Sequence, residues 1–114
     1  MTAKKFLARL PESRRLLGYK VMRHKNGYAV SMADPRQSFM LKKGAVVGLS
    51  GQGIFLSLNK QYVITYYAGN DENAIITFEF DPKDVTWGNL TDRETEFTVS
   101  KARIKDFEIT YDDD

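Results

Sequence analysis

Positive charge gathers at one end of this chain, and anion binding is the first chemistry its side chains suggest. Residues 1–25 carry Lys4, Lys5, Arg9, Arg14, Arg15, Lys20, Arg23 and Lys25 against Glu12 alone. That segment stands at +7 and the remainder at −5, within a net charge of +2. Clustered ammonium and guanidinium groups neutralise phosphate, so Lys4, Lys5, Arg9, Arg14 and Arg15 are candidate nucleic-acid or anion-binding residues. The alternative is a solvated terminal helix, because few aromatics interleave with these cations to stack on bases.

A second concentration of chemistry lies in GQGIFLSLNKQYVITYYAG, residues 51–69. Glycines lead into an apolar strand that ends in Ser57, and an aromatic helix follows. Ser57, Tyr62 and Tyr66 are candidate ligand contacts. Ser57 before Asn59 equally reads as a helix initiator, and Tyr62, Val63, Tyr66 and Tyr67 as a stripe packed on a sheet. Farther on, Glu94 and Glu96 sit two residues apart, on one solvent-facing side if the segment is a strand. Arg23 lies beside a hairpin turn, where a surface arginine is ordinary. His24 has no carboxylate close in sequence and reads as a surface imidazole rather than a base. Trp87 is read as a plug at a sheet edge, with a partner contact as the alternative. With no Cys and one His, disulfides, cysteine nucleophiles and thiolate metal sites are excluded, and no metal site is expected.

The elements that must position these residues follow from local patterns. Residues 3–9 predict a short amphipathic helix with Phe6, Leu7 and Leu10 on one side. GYKVMRH and YAVSM (18–24 and 28–32) read as strands joined at Asn26-Gly27, a pair suited to tight hairpins. Asp34-Pro35-Arg36 breaks the chain before short extended pieces at 38–41 and 45–49. IFLS (54–57) reads as a buried strand, and Asn59 caps a helix over 59–68. AIITFEF (74–80) alternates, with Ile76, Phe78 and Phe80 on one face. A short strand VTW, a loop through Gly88-Asn89, and strands over TDRETEFTVS and KARIKDFEITY complete the chain. The expectation is an α+β fold with a mainly antiparallel sheet of six or seven strands, one principal internal helix and a short N-terminal helix. One domain is expected over 1–114: a basic helical arm (1–17), the core (18–110) and an acidic tail (111–114). The N-terminus lacks the apolar run of a signal peptide and no stretch reaches membrane-spanning length, so a cytoplasmic protein without membrane contact is expected.

The strand–Ser57–helix unit followed by AIITFEF resembles the centre of the ADP-ribosyltransferase-like fold, a split β-sheet that holds NAD in a cleft. In its arginine–serine–glutamate branch the pattern is carried here by Arg23 in YKVMRH, Ser57 in IFLSL, and Glu94-Thr95-Glu96. The intervals from Arg23 to Ser57 and from Ser57 to Glu96 are 34 and 39 residues. The resemblance implies NAD as cofactor, with Glu96 stabilising positive charge on the ribose and Glu94 orienting the nucleophile. It further implies Arg23 on the phosphates, Ser57 holding its neighbours in register, and Tyr62 or Tyr66 stacked on nicotinamide. The family's Ser-x-Ser is reduced here to Leu56-Ser57-Leu58. YKVMR, GIFLS and ITFEFDPKDV are also similar to small uncharacterised bacteriophage-encoded domains, and that likeness implies a viral protein acting on a host protein.

Three functions follow as expectations. The preferred one is a non-catalytic domain of this shape that binds a host protein as an inhibitor or adaptor. The others are an NAD-dependent ADP-ribosyltransferase and a nucleic-acid-binding module using the basic N-terminal arm.

Overall fold

Alternation of apolar and polar residues over 74–80 builds the centre of the sheet. In the computed structural model, which describes residues 1–31, 38–48, 53–69, 72–91 and 95–111, Ile76, Phe78 and Phe80 all enter the core. The chain runs α1 (Ala3–Arg9), a 3-10 turn (Glu12–Arg14), β1 (Leu17–Lys25), β2 (Tyr28–Val30), β3 (Ser38–Met40), β4 (Val46–Val47) and β5 (Ile54–Ser57). Then follow α2 (Lys60–Tyr67), β6 (Asn73–Glu79), a second 3-10 turn (Pro82–Asp84), β7 (Val85–Leu90), β8 (Thr95–Val99) and β9 (Ala102–Thr110). All strand pairings among the described residues are antiparallel. Their order is β4-β9-β6-β1-β5-β8-β7, with β2 on β1 and β3 on β2. The fold is α+β and mainly antiparallel: seven strands lie along that path, within the six or seven expected, and β2 and β3 bring the curled sheet to nine among the described residues.

The β1–β2 hairpin forms where the Asn-Gly pair predicts it. Asn26 (φ 51°) and Gly27 (φ 84°) both occupy the left-handed region, as a two-residue turn matched to strand twist requires. The register runs Lys25↔Tyr28 to Arg23↔Val30. β2 ends at Val30 and Ser31 beyond it is buried, while residue 32 of the expected strand lies outside the described residues. The expected break at Asp34-Pro35-Arg36, the glycine lead at Gly51, the carboxylate of Glu94 and the tail Asp112–Asp114 lie outside the described residues.

The expected loop through Gly88-Asn89 is instead the end of β7, where Gly88 pairs with Phe97 and Asn89 with Glu96. Glycine is compatible with a strand here because α1 lies against it. A Cβ on Gly88 would collide with the Phe6 ring. Phe6 is fully buried, with its ring centroid 5.3 Å from that of Phe97, which in turn lies 4.9 Å from Phe80. Burial of a ring of this size stabilises by roughly 2–3 kcal/mol. The chain ahead of α1 bridges the outer edge of β7 at Thr2↔Trp87. The basic N-terminal segment is therefore no free arm: Phe6 and Leu10 belong to the core, while Lys4, Lys5, Arg9 and Arg14 remain exposed. Among the described residues no helix is long and apolar enough to cross a membrane.

Gly88→Ala should cost about 1–3 kcal/mol by overpacking Phe6, whereas Lys5→Ala on the exposed face of α1 should stay within about 0.5 kcal/mol. Urea unfolding of both variants measures this. An unchanged midpoint for Gly88→Ala would remove α1 from β7.

Candidate functional site

Two neighbours compete for one edge of β1. Along its other edge β1 is paired with β6 from Leu17↔Glu79 to Arg23↔Asn73. On the contested edge it meets β5 in one registered pair, Tyr19↔Ser57, and then pairs with β2 from Arg23↔Val30 onward. Alternate residues of an antiparallel strand address the same edge, so the next pair with β5 would be Val21 with Phe55. That pair is missing from the register. The Phe55 carbonyl instead accepts a hydrogen bond from Lys20 Nζ at 3.2 Å. A cavity of about 360 Å³ opens where the strands part.

Tyr19, Val21, Phe55 and Val63 give this cavity apolar and aromatic walls. Lys20, Ser31, Ser57, Tyr67 and Glu96 supply its polar groups. Helix α2 covers one side through Val63, which packs with Val21 and Ile75. One turn on, the Tyr67 hydroxyl donates to Glu96 Oε1 at 2.8 Å. Desolvation and then the bond to Glu96 push the Tyr67 phenol well above its usual range, so it stays a donor. Burial lowers the Lys20 pKa, and the charge of Glu96 opposes that shift. Ser57 faces inward but is occupied: its Oγ accepts from the Asn59 N–H at 3.1 Å and lies 3.3 Å from Thr95 Oγ1. Asn59 Oδ1 accepts in turn from the Tyr62 N–H at 3.1 Å, capping α2.

Of the residues singled out in the sequence, Ser57 and Glu96 stand opposite each other in the β5–β8 register and line the same cavity. Arg23 does not line it. It follows Tyr19 by four residues, roughly 13 Å along a strand, and sits exposed where β1 pairs with β2. The aromatic stripe on α2 is core only in part, with Tyr62 packed against the cluster of Val21, Val63 and Ile75. Val63 is buried, but Tyr66 is 69% exposed and Tyr67 43%. Tyr62 and Tyr66 touch each other, with ring centroids 4.8 Å apart, and neither lines the cavity. Tyr67 is the ring that does. Its spacing of four from Val63, the residue facing the sheet, is the signal that points to it.

Trp87 lies beside Phe55, with ring centroids 6.1 Å apart, and the two are 39% and 41% exposed. They form an open aromatic ledge next to the cavity rather than a sealed edge. His24 has the carboxylate partner that sequence proximity hides: its Nδ1 lies 3.0 Å from Glu72 Oε1. The Gly27 N–H donates to His24 Nε2 at 3.1 Å, so the ring ties the hairpin turn to the start of β6. Hydrogen bonds from His24 and then Tyr111 hold the Glu72 carboxyl below its ordinary range. On the basic surface, Arg15 pairs with Glu12 at 3.5 Å. Among the described residues no group of three His, Cys, Asp or Glu side chains could hold a metal ion.

Comparison with protein-family models, with curated proteins and with solved structures finds no match to this chain. Its functional reading rests on the cavity itself.

The Tyr67–Glu96 bond has a definite alkaline consequence. The unfolded phenol ionises near about pH 10, and the folded one above that. Below about pH 10 both states keep the proton and the contribution is constant. Above it the unfolded chain ionises first, so stability falls as pH rises toward the folded value. In an NMR titration of tyrosine-labelled protein, Glu96→Ala should bring the Tyr67 step down toward the ordinary value. An unmoved step would mean that the bond is not made.

Proposed function

We propose that this chain is a small non-catalytic binding domain that docks a protein partner on the cavity between β1 and β5. The observation that carries this reading is the pairing of an occupied carboxylate with an open aromatic ledge. Glu96 already accepts from Tyr67 and acts on Lys20, while Phe55 and Trp87 stand exposed beside it. Stabilising a ribose oxocarbenium requires a carboxylate free to meet the sugar, with a phosphate-binding cation close by. Here Tyr67 already holds one oxygen of the carboxylate, and Arg23 lies outside the cavity. Partly exposed Trp, Tyr and Phe beside an apolar hollow are the features that anchor protein interfaces. The forked edge of β1 supports a split-sheet, ADP-ribosyltransferase-like shape in which the cleft serves docking without NAD chemistry. The resemblance to phage domains makes the partner a host protein and the setting the host cytoplasm.

The test is capture from bacterial lysate by the tagged domain, beside NAD assays on the same protein. The wild type should retain one stoichiometric partner, and Phe55→Ala with Trp87→Ala should lose it while unfolding at the same midpoint. Each anchor should be worth about 2 kcal/mol or more of binding. NAD should give neither a thermal shift nor cleavage. NAD cleavage abolished by Glu96→Ala would replace this reading with the enzymatic one. Salt-dependent retention on nucleic acid, lost in Arg14→Glu with Arg15→Glu, would move the site to the basic surface.

A further inference from the structure

The cavity also holds a primary amine that docking does not use. Lys20 leaves β1 next to Tyr19 and Val21 and turns its side chain into the gap, where Nζ donates to the Phe55 carbonyl. One N–H held by a carbonyl is a bond that both the ammonium and the neutral amine can make, and the neutral form keeps its lone pair. Burial lowers the Lys20 pKa, which eases loss of a proton from the resting ammonium. A lysine desolvated in an apolar pocket is a nucleophile toward carbonyl carbon. The apolar part of the lining, Tyr19, Val21, Phe55 and Val63, suits an apolar or aromatic body, and the polar groups Ser31, Ser57, Tyr67 and Glu96 leave room for a carbonyl oxygen.

We propose that Lys20 is an imine-forming nucleophile that captures a small apolar aldehyde or ketone in this cavity. The ammonium first gives up one proton to water; the lone pair on Nζ then attacks the carbonyl carbon, a C–N bond forms, and the carbonyl π electrons move to oxygen. That oxygen takes a proton and the nitrogen loses one, which gives a carbinolamine. The nitrogen lone pair then expels the hydroxyl, which leaves as water with a second proton. Loss of the last N–H proton leaves the neutral imine. Amine and carbonyl compound become imine and water, with no change of oxidation state. Glu96, whose charge acts on Lys20, keeps Oε1 on Tyr67 and uses its second oxygen, Oε2, to take the proton from nitrogen and return it to the departing hydroxyl. This activity does not depend on the docking reading, and either can fail alone.

The full chain, treated near neutral pH with limiting benzaldehyde and cyanoborohydride, converts each imine into a stable benzylamine. Peptide mapping by mass spectrometry then ranks the lysines by rate. Lys20 should be labelled before the exposed Lys4, Lys5, Lys25 and Lys60, and Glu96→Gln should slow Lys20 while leaving those four unchanged. Lys20→Arg should lose the early adduct altogether. The wild-type ranking decides the matter even if a variant folds poorly: Lys20 labelled no faster than the exposed lysines would overturn the proposal. So would equal labelling of Lys20 in wild type and Glu96→Gln, since the carboxylate would then move no proton.

Discussion

One strand, β1, cannot satisfy two partners along the same edge, and the rest of the site depends on how that conflict is resolved. Continuous pairing with β6 fixes β1 in the middle of the sheet. The tight Asn26-Gly27 turn then brings β2 onto the edge that β5 also needs. β5 keeps the pair at Tyr19↔Ser57 and gives up the next. The Phe55 carbonyl is left without its strand partner at that point, and the Lys20 ammonium takes the partner's place as donor. The gap is held open by chemistry, not simply left unfilled.

That donor brings a charge into a poorly solvated place, and the surrounding residues answer it. Isolated buried charges are costly, so partners gather around them. Strand alternation on β8 turns Phe97 into the core and Glu96 toward the cavity, where Tyr67 of α2 meets it. The opposite side of β8 is braced by α1, because Phe6 packs over Gly88 and against Phe97. The N-terminal helix thus positions Glu96 from behind, through the strand that carries it. Its cations are left on the outside, where they do not touch the cavity.

Much of the fold was legible because it is written locally. Asn26-Gly27 announces the hairpin, Asn59 the start of α2, and the alternation in AIITFEF the core face of β6. Gly88 misled because a glycine in isolation signals a turn, whereas here it makes room for a ring from a helix more than 80 residues away in sequence. The tyrosines of α2 misled for a related reason: the stripe is real, but the sheet beneath is wide enough to bury only Val63 fully. Half of the candidate site, Ser57 and Glu96, could be picked out by residue type and order. Lys20 could not, since its importance comes from a missing strand pair, and sequence patterns describe the pairs that form; Tyr67 has only its spacing from Val63 to mark it. His24 and Glu72 meet only because β1 and β6 are neighbours.

The parting of β1 from β5 can be measured at one amide. The Leu58 N–H donates to the Thr95 carbonyl, so by alternation Leu56 addresses β8 while Phe55 and Ser57 address β1. Native-state hydrogen exchange followed by NMR should find the Phe55 amide nearly unprotected, next to a strongly protected Leu56 and a protected Tyr19. If Phe55 exchanges as slowly as Leu56, the two strands are zipped together, no cavity separates them, and the account of the site is wrong.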